Sequence, residues 1–157
     1  MLKTICPLSG GISLLLVLLV IGMATSCRED DEIPFSDIPE IELLGVSHDT
    51  IVQYQEVLVL SIQYQDGDGD IGFESPDKYA VHVRDTRLEN FDGFFVGPVA
   101  PPGSDVPVKG KIDIEFPNLF VFGNGDAEKT FFEIKMIDRA GNESNILMTD
   151  AVVILRE

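Results

Sequence analysis

The chain has 157 residues, and its 27 Asp and Glu residues against 11 Lys and Arg give a formal net charge of −16. This charge excludes nucleic acid as a partner, because affinity for phosphates comes from clustered Lys and Arg side chains. Direct binding to anionic lipid head groups is disfavoured for the same reason.

The first 26 residues have the pattern of a secretory signal peptide. Lys3 lies before a run of apolar residues at 12–21, and the small residues Ala24 and Ser26 follow it. The apolar run is shorter than the ~20 residues that a membrane-spanning helix needs. We therefore predict that residues 1–26 are removed, although a retained signal anchor is the alternative.

The residues around Cys27 resemble the lipobox of bacterial lipoproteins. This resemblance implies cleavage before Cys27 and covalent lipid on its side chain and amino group. The following residues 28–32, Arg-Glu-Asp-Asp-Glu, resemble the export signal of Bacteroidota surface lipoproteins. The combined resemblance implies an outer-membrane lipoprotein that is exposed at the cell surface and held by its lipid anchor. Either leaflet of the outer membrane fits this pattern.

Residues 27–39 then form a flexible acidic tether, with Pro34 and Pro39 near its end. About 12 flexible residues span roughly 20 Å, which holds a domain clear of the head groups. The two cysteines, Cys6 and Cys27, both precede residue 40. A domain at 40–157 therefore has no disulfide and depends on its hydrophobic core.

Residues 40–157 are predicted to be all-β. Residues 57–65 alternate clearly, with Leu58, Leu60 and Ile62 on one face and polar residues on the other. Further strands are predicted at residues 40–46, 79–84, 111–116, 130–137 and 151–155. Strands separated by Gly and Pro indicate an Ig-like antiparallel β-sandwich of about seven strands. The chain has no Trp, so "Ig-like" denotes architecture rather than kinship with antibodies.

Two acidic loops follow predicted strands. The first carries Asp66, Asp68 and Asp70, and the second carries Asp138 and Asn142. In a sandwich of this order, loops after the second and sixth strands lie at the same end. The five side chains are therefore candidate ligands of a Ca²⁺ ion, which prefers oxygen ligands. The alternative is a pair of Asp-Gly turns without metal.

The first loop is not an EF-hand loop. In that motif the sixth position is glycine, whereas here it is Ile71, and the glycine follows at Gly72. No helical pattern flanks the loop either.

Several motifs together resemble the Ig-like or cadherin-like domains of Bacteroidota lipoproteins. The chain has Tyr-x-Asp-x-Asp-Gly-Asp-x-Gly at 64–72, Val-x-Asp-x-Arg at 83–87 and Ile-Asp-Arg-Ala-Gly-Asn-x-Ser-Asn at 137–145. The resemblance covers most of residues 40–155. It implies the fold and the location and leaves the activity open.

Residues 90–110 are apolar and rich in proline, which cannot donate to a central ladder. We interpret them as an irregular crossing or an edge strand. The alternative is an exposed partner surface that includes Phe94, Phe95 and Val96. The aromatic residues at 118–122 allow the same two interpretations.

Catalytic motifs are missing from the sequence. It has no Gly-x-Ser-x-Gly, no His-x-x-x-His and only two histidines, His48 and His82. We therefore expect a non-catalytic, lipid-anchored binding or assembly module. Its expected partner is an outer-membrane protein complex or an extracellular glycan. The alternative function is an accessory carbohydrate-active enzyme that uses exposed carboxylates.

Overall fold

The computed structural model describes residues 35–157 of the chain. The predicted signal peptide at 1–26, the predicted lipidation site Cys27 and residues 27–34 of the predicted tether lie outside the described residues. Within the described part, all regular structure is β, as predicted. No helix in that part is long and apolar enough to cross a membrane.

Ten strands make up the described chain. Seven have four or more residues and three are shorter. Their bounds are β1 Glu40–Val46, β2 Thr50–Val52, β3 Leu58–Asp66, β4 Val81–Asp85, β5 Asp92–Phe94, β6 Val108–Phe116, β7 Ala127–Thr130, β8 Phe132–Met136, β9 Leu147–Met148 and β10 Val152–Leu155.

The strands form three hydrogen-bonded sheets, with the orders β1-β3-β6, β2-β10-β7 and β5-β4-β8-β9. Phe131 alone separates β7 from β8, so a single chain segment contributes to the second sheet and then to the third. The pairing is not antiparallel throughout, because β10 runs parallel to β2 with Val153 opposite Thr50. These strands are about 100 residues apart in the chain, so no hairpin dictates an antiparallel arrangement.

One hydrophobic core lies beneath these sheets. Alternate side chains of β3 are buried, as the period-two pattern predicted. They share a single cluster with buried residues of β4, β8 and β10, such as Val83, Phe132 and Ile154. Each large apolar side chain buried in this way contributes about 1.5–3 kcal/mol, which sustains a domain without a disulfide.

Residues 95–107 connect β5 to β6 and contain no strand. Part of this connection packs inward: Val96 and Val99 lie against the core, and Ala100 is buried. The connection also reaches the first acidic loop, since the N–H of Phe73 donates to the carbonyl of Val96 at 2.9 Å. The crossing therefore helps to fix the position of that loop.

Candidate metal centre

Three carboxylates from two loops meet at one end of the domain. Asp66 is the last residue of β3, Asp70 lies in the loop that follows, and Asp138 comes two residues after β8. One oxygen atom from each lies within 4.8 Å of the others. The structure thus brings together three of the five residues that the sequence singled out as candidate ligands.

The first loop folds back on its own carboxylates. The N–H of Asp70 donates to Asp66 Oδ2 at 3.0 Å and to Asp68 Oδ1 at 3.2 Å. Gly69 and Gly72 have φ angles of 70° and 85°, in the left-handed region that glycine tolerates best. Asp68 is half-buried, holds the turn through the hydrogen bond from Asp70 and is not one of the three carboxylates.

The second loop fixes Asp138 through Asn142. Asp138 Oδ1 accepts the backbone N–H of Asn142 at 2.8 Å, and its Oδ2 accepts the side-chain amide at 2.8 Å. Gly141 between them has a φ angle of 91°. Asn142 therefore orients a carboxylate of the group, and the turn predicted here forms.

Backbone hydrogen bonds tie the two loops together. The N–H of Ala140 donates to Asp70 Oδ2 at 2.9 Å, and the N–H of Arg139 donates to the carbonyl of Asp70 at 3.2 Å. The Arg139 guanidinium reaches the carbonyl of Gly72 at 3.4 Å. These contacts hold the spacing of the carboxylates before any ligand binds.

Two oxygens of the group lack partners. Asp66 is completely buried and Asp138 is 1% exposed. Asp66 Oδ1 and Asp70 Oδ1 are buried and accept no hydrogen bond within the described chain. A buried carboxylate oxygen without a partner costs free energy, which a bound cation would offset.

Burial and neighbouring charges raise the pKa values of two carboxylates, Asp66 and Asp70. Burial, followed by repulsion from Asp68, raises the pKa of Asp66 to about 7. Burial and the charges of Asp138 and Asp68 also raise the pKa of Asp70. Without a cation the group therefore has a strong affinity for protons. The three donors are all carboxylate oxygens, and hard divalent cations such as Ca²⁺ and Mg²⁺ take such ligands.

A further carboxylate, Asp37, lies beside this group. It lies within residues 27–39, which the sequence predicted to be the tether, 29 residues before Asp66. Its backbone carbonyl accepts the side-chain N–H of Asn142 at 3.4 Å, across 105 positions of the chain. A contact between residues so far apart has no local sequence signal, and only the fold reveals it.

The predicted partner surface is mostly not exposed. Phe94 packs edge-on against Phe116, with ring centroids 5.2 Å apart, and Val96 lies against the core. Only Phe95 is exposed, at 47%. The three side chains therefore do not form one exposed apolar surface.

An aromatic cluster that the sequence did not predict as a unit lies at the other end of the domain. Tyr54 stacks on Phe120 with centroids 5.7 Å apart, and Phe120 meets Phe122 edge-on at 4.7 Å. Tyr54 is 61% exposed and Phe122 is 46% exposed. β3 begins near this aromatic cluster and ends at Asp66, so the cluster and the carboxylates occupy opposite ends.

A buried ion pair supports the aromatic cluster. The Arg87 guanidinium lies 4.4 Å from the ring centroid of Phe122 and binds both oxygens of Asp85, the closest at 2.6 Å. Arg87 also binds Glu128 at 3.0 Å. Burial alone would raise the pKa of Asp85, but hydrogen bonds from Arg87 and Thr130 outweigh it and lower that pKa. The motif residues Asp85 and Arg87 are thus structural.

Comparison of the chain with protein-family models, with curated proteins and with solved structures gives no significant match.

Proposed function

We propose that this chain is a non-catalytic, lipid-anchored module of the outer-membrane surface whose acidic end binds Ca²⁺. Asp66, Asp70 and Asp138 bind the ion directly, and Asp68 and Asn142 hold the two loops around it. The module binds or assembles with an extracellular partner through its other surfaces, and its anchor is the lipid on Cys27.

The single observation that carries the calcium site is the oxygen Asp66 Oδ1. It belongs to a completely buried carboxylate, accepts no hydrogen bond, and lies in a group with two more carboxylates. A structural turn needs no such atom, because a turn carboxylate is satisfied by the N–H groups that it caps. A cation supplies the missing partner and neutralises the mutual repulsion.

Calcium suits the group better than magnesium does. Ca²⁺ accepts six to eight oxygens in flexible geometry, so water and backbone carbonyls can complete a set that begins with three carboxylates. Mg²⁺ requires nearly ideal octahedral geometry and gives up its own water reluctantly. The two loops come from separate strands and are tied by backbone contacts, which leaves an irregular arrangement that Ca²⁺ tolerates.

An Ig-like sandwich is supported by the strand order. If β7 with β8, β9 with β10, and β1 with β2 are counted as interrupted strands, seven segments remain. The order β1-β3-β6 then corresponds to strands A, B and E, and β4 beside β8 with β10 beside β7 corresponds to C, F and G. This assignment places the two acidic loops after strands B and F.

Thermal unfolding of the full chain in detergent tests calcium binding. Extracellular modules bind calcium with dissociation constants of about 0.1–1 mM. A few millimolar calcium should then stabilise the domain by about 1–2 kcal/mol. The melting temperature should rise by roughly 3–8 °C. Magnesium at equal ionic strength should do less. Melting curves in calcium and magnesium that superimpose would refute the site.

A further inference from the structure

We propose that residues 35–39 are part of the calcium site, with Asp37 as its fourth carboxylate. Calcium binding then docks this segment onto the acidic loops. This inference rests on the proposed calcium site and adds a residue and a consequence to it.

The segment already contacts both loops of the site. The carbonyl of Ser36 accepts the N–H of Gly67 at 2.8 Å, directly beside Asp66. The carbonyl of Asp37 accepts the side-chain N–H of Asn142, whose same amide group also binds Asp138 Oδ2. Each loop thus donates one hydrogen bond to the segment. The donor in the first loop is Gly67, which follows Asp66, and the donor in the second is Asn142, which binds Asp138.

Gly67 makes this contact possible. Unlike Gly69 and Gly72, it has no positive φ, so its turn does not require glycine. Its missing side chain matters instead for space. A Cβ atom at this position would lie 2.5 Å from the carbonyl oxygen of Phe35 and 2.9 Å from Asp37 Oδ1. The Asp37 carboxylate therefore stands against the backbone of the loop at Gly67.

The sign of the coupling follows from charge. Asp37 is exposed, whereas the neighbouring carboxylates are buried or half-buried. Without a cation, their repulsion weakens the docking of the segment. With a divalent cation in place, the same negative charge is attracted to the site, either directly or through a bound water. Because linkage is reciprocal, a docked segment must tighten calcium binding by the same factor.

Two measurements on the full chain in detergent test the proposal. Hydrogen exchange of the segment 35–39 reports docking through the amides of residues 35–38, since Pro39 has no backbone N–H. Titration calorimetry with calcium chloride reports affinity. We expect these residues to exchange more slowly in calcium than in chelator.

Gly67→Ala separates docking from the carboxylates, because it displaces the segment and retains every acid. We expect it to weaken calcium binding about fivefold or more and to abolish the effect of calcium on exchange at 35–39. Gly97→Ala is the matched control, since a Cβ there meets nothing within 4 Å and the φ angle is ordinary. It should behave like the wild type.

Asp37→Asn keeps the shape of the segment and removes its charge. We expect weaker calcium binding and a smaller effect of calcium on exchange, with a melting temperature in chelator at or above that of the wild type. This variant tests the proposal even if Gly67→Ala does not fold.

Two outcomes would overturn the proposal, and they are distinguishable. If the wild type binds calcium while exchange at 35–39 is equal in calcium and chelator, and Asp37→Asn binds calcium like the wild type, the segment is independent of the site and the calcium site stands. A wild-type chain that takes up no calcium overturns the site and its coupling together.

Discussion

Asp66 is bound on one side only: its Oδ2 accepts the N–H of Asp70 at 3.0 Å, while its Oδ1 is buried without a partner. The hydrogen bond from Asp70 fixes the carboxylate in one orientation. The carboxylate is then held with one oxygen within 4.8 Å of oxygens of Asp70 and Asp138. The loop thus keeps a buried negative oxygen without a protein donor, in a position that a cation can satisfy.

Asp66→Asn should stabilise the metal-free domain and remove its response to calcium. The amide keeps the shape of the side chain and abolishes the buried charge, so the melting temperature in chelator should rise by several degrees. Calcium should then add nothing. Asp77→Asn is a suitable control because Asp77 is exposed. A variant that gains as much from calcium as the wild type does would exclude Asp66 as a ligand.

The stability of the metal-free domain should fall as pH rises from about 4 to about 7. The pKa of Asp66 is raised in the folded state to about 7, so the folded chain holds a proton that the unfolded chain releases near pH 4. This contribution is fully present below the unfolded pKa and is lost as pH rises through the folded one.

Calcium should reverse this trend, since it requires the deprotonated carboxylate. Its stabilising effect should be small at pH 5 and large at pH 7.5, as measured by melting curves with calcium and with chelator. If the metal-free domain is equally stable at pH 5 and pH 7.5, the predicted loss of stability with rising pH is wrong.

Arg87→Met should destabilise the domain by about 3–5 kcal/mol, because it leaves the buried Asp85 carboxylate without its cation. Asp85 has a lowered pKa in the intact pair, so the pair contributes above the unfolded pKa of about 4 and its contribution is lost as pH falls below it. Urea unfolding at pH 7 measures the change. The double variant Asp85→Asn/Arg87→Met should recover part of the loss, and a double variant no better than Arg87→Met would argue against a buried unpaired charge.

Cys27→Ala should abolish membrane attachment and leave the domain folded. The proposed acyl chains would supply about 0.8 kcal/mol per buried methylene, and the acidic protein surface offers no substitute. Fractionation of cells after a high-salt wash measures attachment, and a melting curve of the released chain reports its fold. Retention of the variant in the outer-membrane fraction would refute the lipid anchor.

A panel of immobilised polysaccharides separates the two function classes. The proposed module should be retained on a glycan without releasing product. The exposed rings of Tyr54 and Phe122 offer flat apolar faces for sugar rings, so Phe122→Ala should reduce retention. Phe131→Ala is a control at a similarly exposed ring outside the aromatic cluster. Release of soluble sugar would support the enzyme alternative, and no retention on any glycan would favour a protein partner.

The sequence predicted the regular parts of the fold well. Period-two alternation located β3, because one of its faces packs on the core and the other meets solvent. The short strands β2 and β9 were not predicted, since two or three residues carry no readable period. The edge strand β5 lies within residues 90–110, where an edge strand was one of the two interpretations. The parallel pairing of β2 with β10 was missed for a different reason: nothing local records which distant strand becomes a neighbour.

The candidate site was predicted in part. The spacing of Asp66 and Asp70, together with the order of strands, indicated that they would lie near Asp138. From the sequence, Asp68 was a candidate ligand like Asp66 and Asp70, whereas in the structure its carboxylate holds the turn. It assigned Asp37 to the tether, because the closeness of Asp37 to Gly67 depends on tertiary packing.

The parallel ladder of β2 and β10 has a mechanical consequence. β2 lies near the start of the domain and β10 near its end, with Val153, Ile154 and Leu155 opposite Thr50, Ile51 and Val52. If the chain is held from its N-terminal side and loaded from its C-terminal side, the tension pulls these two strands in opposite directions along their length. The hydrogen bonds between them then bear the force together, in shear, instead of opening one after another as in a peeled hairpin. The force needed to unfold such a domain from its two ends is therefore higher than the shortness of β2 and β10 suggests.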